Sequence, residues 1–138
     1  MKDRALYNVS LKVIIRRDDK FLVLTNSENK FDLPGGRIDI DENKDSLEKI
    51  IDREIVEELG VDMKIEMKNP VMCFRRIFDE DNLNVFIVVF YGRFISGSVS
   101  VSNEHDGYVW MKPEEIIADP NKFYSEEEYL SFRNFLVS

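Results

Sequence analysis

The sequence predicts an α/β fold built on a mixed β-sheet, and three observations carry that prediction. Residues 7–16 alternate, with Tyr7, Val9, Leu11, Val13 and Ile15 on one side, which is the period of a half-buried strand. Residues 83–95 contain the unbroken apolar run Val85 to Tyr91, as expected of a central strand covered on both faces. Residues 46–59 repeat apolar side chains at helical spacing and stop at Gly60, a residue suited to the position just past a helix end. At 138 residues the chain fits one domain, 1–138, with a core large enough to need no staples.

Taken in order, residues 17–20 form a turn and 20–25 the returning strand, with Phe21, Leu22, Val23 and Leu24 in succession. A polar loop, 26–30, leads into Phe31-Asp32-Leu33-Pro34-Gly35-Gly36. The helix at 46–59 takes Asp45 as its N-cap, with Glu48 completing a capping-box-like start. Residues 61–68 read as an imperfect strand broken by Asn69-Pro70, and 71–78 as a second strand carrying Arg75 and Arg76. An acidic turn, 79–82, precedes the long strand at 83–95, and a small, polar loop follows at 96–103. The segment 103–111 ends in a short strand, Pro113 opens a short helix over 113–117, and Ser125 with Glu128 caps a C-terminal helix. That last helix would bury Tyr129, Leu130, Phe132, Phe135 and Leu136.

The composition, 43% hydrophobic and 33% charged, is that of an ordinary globular protein. The lone Cys73 excludes an internal disulfide, and its setting in Val71-Met72-Cys73-Phe74 reads as a buried small hydrophobe. No signal-like leader and no apolar run of about 18 residues is seen, so the expectation is a soluble, cytoplasmic protein. A net charge of −8 argues against nonspecific binding to nucleic acid or an anionic membrane. It suits a protein that captures anionic substrates through a metal rather than through a basic surface.

The chemistry concentrates at residues 35–61. Leu47, Ile50, Ile51, Ile55 and Leu59 trace one apolar stripe along the helix. Glu54 and Glu58 project into that stripe and Glu57 lies beside it, so the three carboxylates can converge on one patch. Converging carboxylates on a half-buried face repel one another and resist desolvation. A divalent cation relieves both, and hard oxygen ligands suit Mg²⁺ or Mn²⁺.

Gly36, Glu42, Arg53, Glu54, Ile55, Glu57, Glu58, Gly60 and Val61 together resemble the Nudix box. That box reads Gly, five residues, Glu, seven residues, then Arg-Glu-apolar-any-Glu-Glu-any-Gly-apolar. One spacing departs from it: ten residues separate Glu42 from Arg53 where the family has seven. The three extra residues read either as an added turn at the helix start or as a longer loop that displaces Glu42 alone.

The resemblance implies an α/β/α sandwich and the metal-dependent hydrolysis of a nucleoside diphosphate linked to another group. By it, Glu54, Glu57 and Glu58 are metal ligands, with Gly35 as a backbone ligand for Mg²⁺ or Mn²⁺. Arg53 orients a box carboxylate, and Glu42 sits at the edge of the site. Related enzymes often place a further Glu before a strand such as 108–111, which makes Glu104 the candidate base or extra ligand beside the plain reading of a solvated loop carboxylate. His105, next to it, could be the base instead, although one loop histidine is more often incidental. Arg75 and Arg76 are candidate phosphate contacts, of which at most one should face the cleft because adjacent strand residues point to opposite faces. The partner implied is a small nucleotide, and the resemblance makes a homodimer plausible. A catalytically idle nucleotide-sensing module on the same fold is the alternative, but such a module would normally have lost a metal glutamate, and none is missing here.

Overall fold

In the computed structural model, which describes residues 3–138, the chain forms a mixed sheet with helices on both faces. Strand β1 (Asn8–Arg17) and strand β2 (Lys20–Thr25) start as a tight hairpin, paired at Arg16 with Phe21 and at Arg17 with Lys20. Asp18 takes the left-handed conformation that closes the turn (φ 56°), one that Asp tolerates. Away from the turn the two strands part.

Two short strands fill the gap. β3 (Phe31–Asp32) pairs with β2, β4 (Gly35–Arg37) pairs with β1, and Leu33-Pro34 carries the chain across between them. The Val13 amide donates to the Pro34 carbonyl at 3.0 Å and pins the crossing. Neither strand was legible in the sequence, because two or three residues carry no period.

Helix α1 (Leu47–Leu59) follows, then β5 (Lys64–Phe78), β6 (Leu83–Ser96) and β7 (Gly107–Met111). The path through the sheet is β3-β2-β1-β6-β5, with β6 parallel to β1 and antiparallel to β5, and β7 flanks β2. A short helix α2 (Pro113–Ile116) and the C-terminal α3 (Glu126–Leu136) complete the chain.

The alternation of β1 sends its residues to two cores. Leu11, Val13 and Ile15 meet Ile50, Ile51, Ile55 and Leu59 of α1. Ile14 meets Phe74, Ile87 and Phe132 on the α3 side. Each fully buried aliphatic or aromatic side chain contributes about 1.5–3 kcal/mol, so these two clusters hold the helices to the sheet. No helix among the described residues is long and apolar enough to cross a membrane.

Several expectations need correction. The N-cap of α1 is Ser46, not Asp45: its hydroxyl accepts from the Lys49 amide at 3.2 Å. Leu47, in the first turn, is 48% exposed because α1 reaches the sheet only further along. Asn69-Pro70 does not break β5. The strand runs through with register shifts around Pro70, which an edge strand tolerates because it pairs on one side only.

Cys73 is exposed rather than buried. On β5 it is Met72, Phe74 and Arg76 that turn inward under α3, and the intervening residues face out. In α3, Leu130 is 39% exposed and Glu128 is buried in its place.

Glu128 is inside because Arg76 is. The Ser125 hydroxyl accepts from the Glu128 amide at 3.1 Å, but the Glu128 carboxylate turns to Arg76 and forms a two-pronged pair at 2.8 and 3.0 Å. Removing one member of a buried pair strands the other. We therefore expect Glu128→Ala to cost about 3 kcal/mol or more in urea denaturation. Arg75→Ala, which breaks only the exposed pair with Glu127, should leave the midpoint where it is.

Candidate active site

The crossing of Leu33-Pro34 lays the Gly35-Gly36 backbone against β1, opposite the middle of α1. A Cβ on Gly35 (φ 145°) would strike the Leu11 carbonyl, and one on Gly36 would strike the Glu54 carboxylate. The missing side chains are what let Glu54 come down onto the turn. Here a cavity of about 810 Å³ opens, bounded on one side by Glu54, Glu57 and Glu58 and on the other by Lys12, Asp32 and Arg76.

Arg53 organises the helical side. Its guanidinium reaches Glu42 through both Nε and Nη2, Glu54 Oε1 through Nη2 at 2.7 Å, and both Glu57 oxygens through Nη1 at 3.0 Å. Glu42 also accepts from the Asp39 amide at 3.0 Å, within a single turn of 3₁₀ helix over Ile40–Glu42. Glu42 is buried beside the cavity, against Arg53. Hydrogen bonds from Arg53 hold the Glu42 carboxyl below its ordinary range. Glu54 goes the other way: burial raises it, the charges of Glu57 and Glu58 add to the rise, and Arg53 offsets only part.

The opposite wall is a chain of buried charge. Lys12 Nζ lies 3.0 Å from Asp32 Oδ1 and donates to the Leu33 carbonyl at 3.1 Å. Arg76 reaches the same Asp32 oxygen at 3.3 Å and stacks on the Tyr124 ring at 4.2 Å. Burial alone would raise the Asp32 carboxyl, but Lys12, His105 and Arg76 together hold it well below the usual range. His105 sits between Asp32 and Glu58, and its hydrogen bond to Asp32 together with the nearby Glu58 carboxylate lifts its pKa to about 9.

The predicted site residues thus separate. Gly35, Arg53, Glu54, Glu57, Glu58, Arg76 and Glu104 all line the cavity, with Glu104 exposed at the rim. Arg75 does not: it points to the other face of β5 and pairs with Glu127 at 2.7 Å, so it is no contact for a ligand in this cavity. Lys12, Asp32 and Arg37 went unread, and His105 was set aside. Nothing local to Lys12 shows that its face of β1 is covered. Its partner Asp32 lies 20 residues away with no periodic relation to it.

The acidic side fits a divalent cation. Its donors are hard oxygens, and burial beside the Glu57 and Glu58 carboxylates raises Glu54. Among the described residues no three metal-ligating side chains are gathered closely enough to hold an ion, and Glu57 is paired with Arg53.

The sequence matches the NUDIX domain family over residues 6–132. The chain belongs to the NUDIX family. Nudix hydrolases as a family use divalent cations such as Mg²⁺ or Mn²⁺ and act on small nucleotides.

Solved structures share the fold. A MutT protein from Methanosarcina mazei Go1 is 28% identical with TM-score 0.75, covering 94% of this chain and 92% of that one. A MutT NUDIX hydrolase from Burkholderia pseudomallei is 20% identical with TM-score 0.70, over 97% and 100% of the two chains. An ADP-ribose pyrophosphatase from Streptococcus suis is 20% identical with TM-score 0.62, over 94% and 91%. A comparison with curated proteins gave no match.

A depressed carboxyl stabilises the fold above its unfolded pKa of about 3.8, and that stability is lost as pH falls below it. Wild type should therefore lose stability more steeply than Asp32→Asn between about pH 5 and pH 2, as read by denaturant melts across that range.

Proposed function

We propose that this Nudix protein hydrolyses a pyrophosphate bond in a nucleoside diphosphate linked to another group, with Mg²⁺ or Mn²⁺ as cofactor. The observation that carries the reading is that Glu54, Glu57 and Glu58 line, together with the Gly35-Gly36 turn, one cavity of nucleotide size. Those three glutamates, with the backbone of Gly35, would hold the cation. When bound, it supplies neutralising charge for the pyrophosphate and acidifies water.

The chain's own residues do the rest. Arg53 does not touch substrate; it fixes Glu42, Glu54 and Glu57 by hydrogen bonds. Arg76 faces the cavity already bound to Glu128 and Asp32, so it shapes the wall and offers a phosphate only what those partners leave. Arg37, exposed on β4 beside the cavity, has no ion-pair partner among the described residues and is the cation free to meet a phosphate.

Glu104 at the rim accepts the proton of the attacking water. The water oxygen bonds to phosphorus as the bridging P–O bond breaks, and the leaving phosphate takes the electron pair. Trapping that charge between fixed groups is where the rate enhancement comes from.

The test is turnover on a panel of nucleoside triphosphates, nucleotide sugars, dinucleoside polyphosphates and ADP-ribose, with Mg²⁺, with Mn²⁺ and with chelator. Cleavage should need the cation, and Glu57→Gln should lower kcat/KM by about 100-fold or more. A folded wild type that binds Mn²⁺ yet turns over nothing would move the assignment to a nucleotide-sensing module. Glu104→Gln should lower kcat by about 10²- to 10⁴-fold; near-full turnover in that variant removes Glu104 from the chemistry.

A further inference from the structure

His105 bridges β3 and α1. Its side chain is only 5% exposed, with Nε2 3.4 Å from Asp32 Oδ2 on β3 and Nδ1 3.3 Å from Glu58 Oε2 on α1. Nδ1 is close to Glu58 but not aligned to bond with it, and it is the buried side-chain polar atom left without a partner among the described residues. Glu58 Oε2 accepts the Ser102 hydroxyl at 2.9 Å instead. A native fold rarely strands a buried polar group, so one aimed at a carboxylate across a ligand cavity asks for a use.

The surrounding main chain narrows that use. The Ser100 amide donates to the Leu59 carbonyl at 2.9 Å and the Ser102 amide to the Glu58 carbonyl at 3.1 Å, which ties one end of the loop to α1. The Asp106 amide donates to the Thr25 carbonyl at 2.9 Å, which ties the other end to β2. His105 stands between these ties, next in sequence to Glu104. Asp32, its anchor, is itself locked by Lys12 and Arg76.

We propose that His105 is a positioning residue that braces Glu58 against Asp32 and fastens the loop presenting Glu104 to the cavity. A small rotation of the Glu58 carboxylate brings Nδ1 into line, so the imidazole sets the direction in which that glutamate faces a bound cation. The proposal rests on the metal-dependent reading for its Glu58 arm; its loop arm stands without it.

The test compares His105→Asn, His105→Gln and His105→Ala. An Asn amide can replace the Nδ1 donor and a Gln amide the Nε2 donor, so the two conservative variants separate the two contacts. Mn²⁺ binding is read by electron paramagnetic resonance without substrate, and amide exchange of residues 100–106 is read without metal. His105→Ala should weaken Mn²⁺ binding about tenfold and speed exchange at Asp106. His105→Asn should keep Mn²⁺ affinity within about threefold of wild type, and His105→Gln should not.

Wild-type affinity and exchange in a folded His105→Ala overturn the proposal. Equal losses in all three variants also overturn it, since that is what a space-filling ring predicts. Should the Ala variant fail to fold, the contrast between Asn and Gln decides. A wild type that binds no Mn²⁺ sinks the metal reading and with it the Glu58 arm, while the exchange data still decide the loop arm.

Discussion

The structure depends on one close approach, that of the Gly35-Gly36 backbone to β1 on one side and to Glu54 on the other. A side chain at either position would collide with main chain or carboxylate. With none there, a hairpin that has parted can be refilled by two fragments of strand, and the middle of α1 can be drawn onto the sheet. The acidic patch, the Arg53 contacts and the cavity all follow from that contact. Glu54 is buried against the turn rather than solvated on the helix, which is why its carboxyl is raised while that of Glu42, one hydrogen-bonded neighbour away, is lowered.

The cavity has two walls of different electrical character. On α1 the carboxylates outnumber the single guanidinium that ties them, and the local excess is negative. Across the gap, Lys12, Arg76 and His105 surround Asp32 and the excess is positive. Buried charges of this kind are poor sources of stability and demand close pairing. Their arrangement here suits a polyanion lying between a cation site and a positive wall. Arg53 and Glu128 belong to this arrangement too: each keeps another charged side chain in place.

The sheet and α1 were legible because they are long enough to show a period: β1, β6 and the apolar stripe of α1 each repeat over many residues. The box glutamates were legible for the same reason, since their separations are helical and survive any change in the loop before them. Of the positive wall only Arg76 was legible, as one of two adjacent arginines that must point to opposite faces of the strand. Lys12, Asp32, Arg76 and His105 come from four segments and meet only because β3 crosses the parted hairpin and α3 covers the far face. Cys73 and Leu130 show the same limit from the other side. Their hydrophobicity was read correctly, but which face of an edge strand or helix is covered is a tertiary fact. Glu128 inverts the rule: a charged residue took the core position because its partner was already inside.

The parallel pairing of β1 with β6 bears on how the molecule comes to exist. β1 lies near the start of the chain and β6 beyond its middle, with Asn8 set against Val85 and Arg16 against Arg93. Every residue of α1 and β5 intervenes, so the strand that backs the Gly-Gly turn gains the neighbour on its other edge only after a long loop has closed. Such pairings slow folding relative to helical bundles of the same size. During synthesis the acidic helix emerges well before the strand that completes the sheet behind it. The site is therefore assembled only after β6 has emerged.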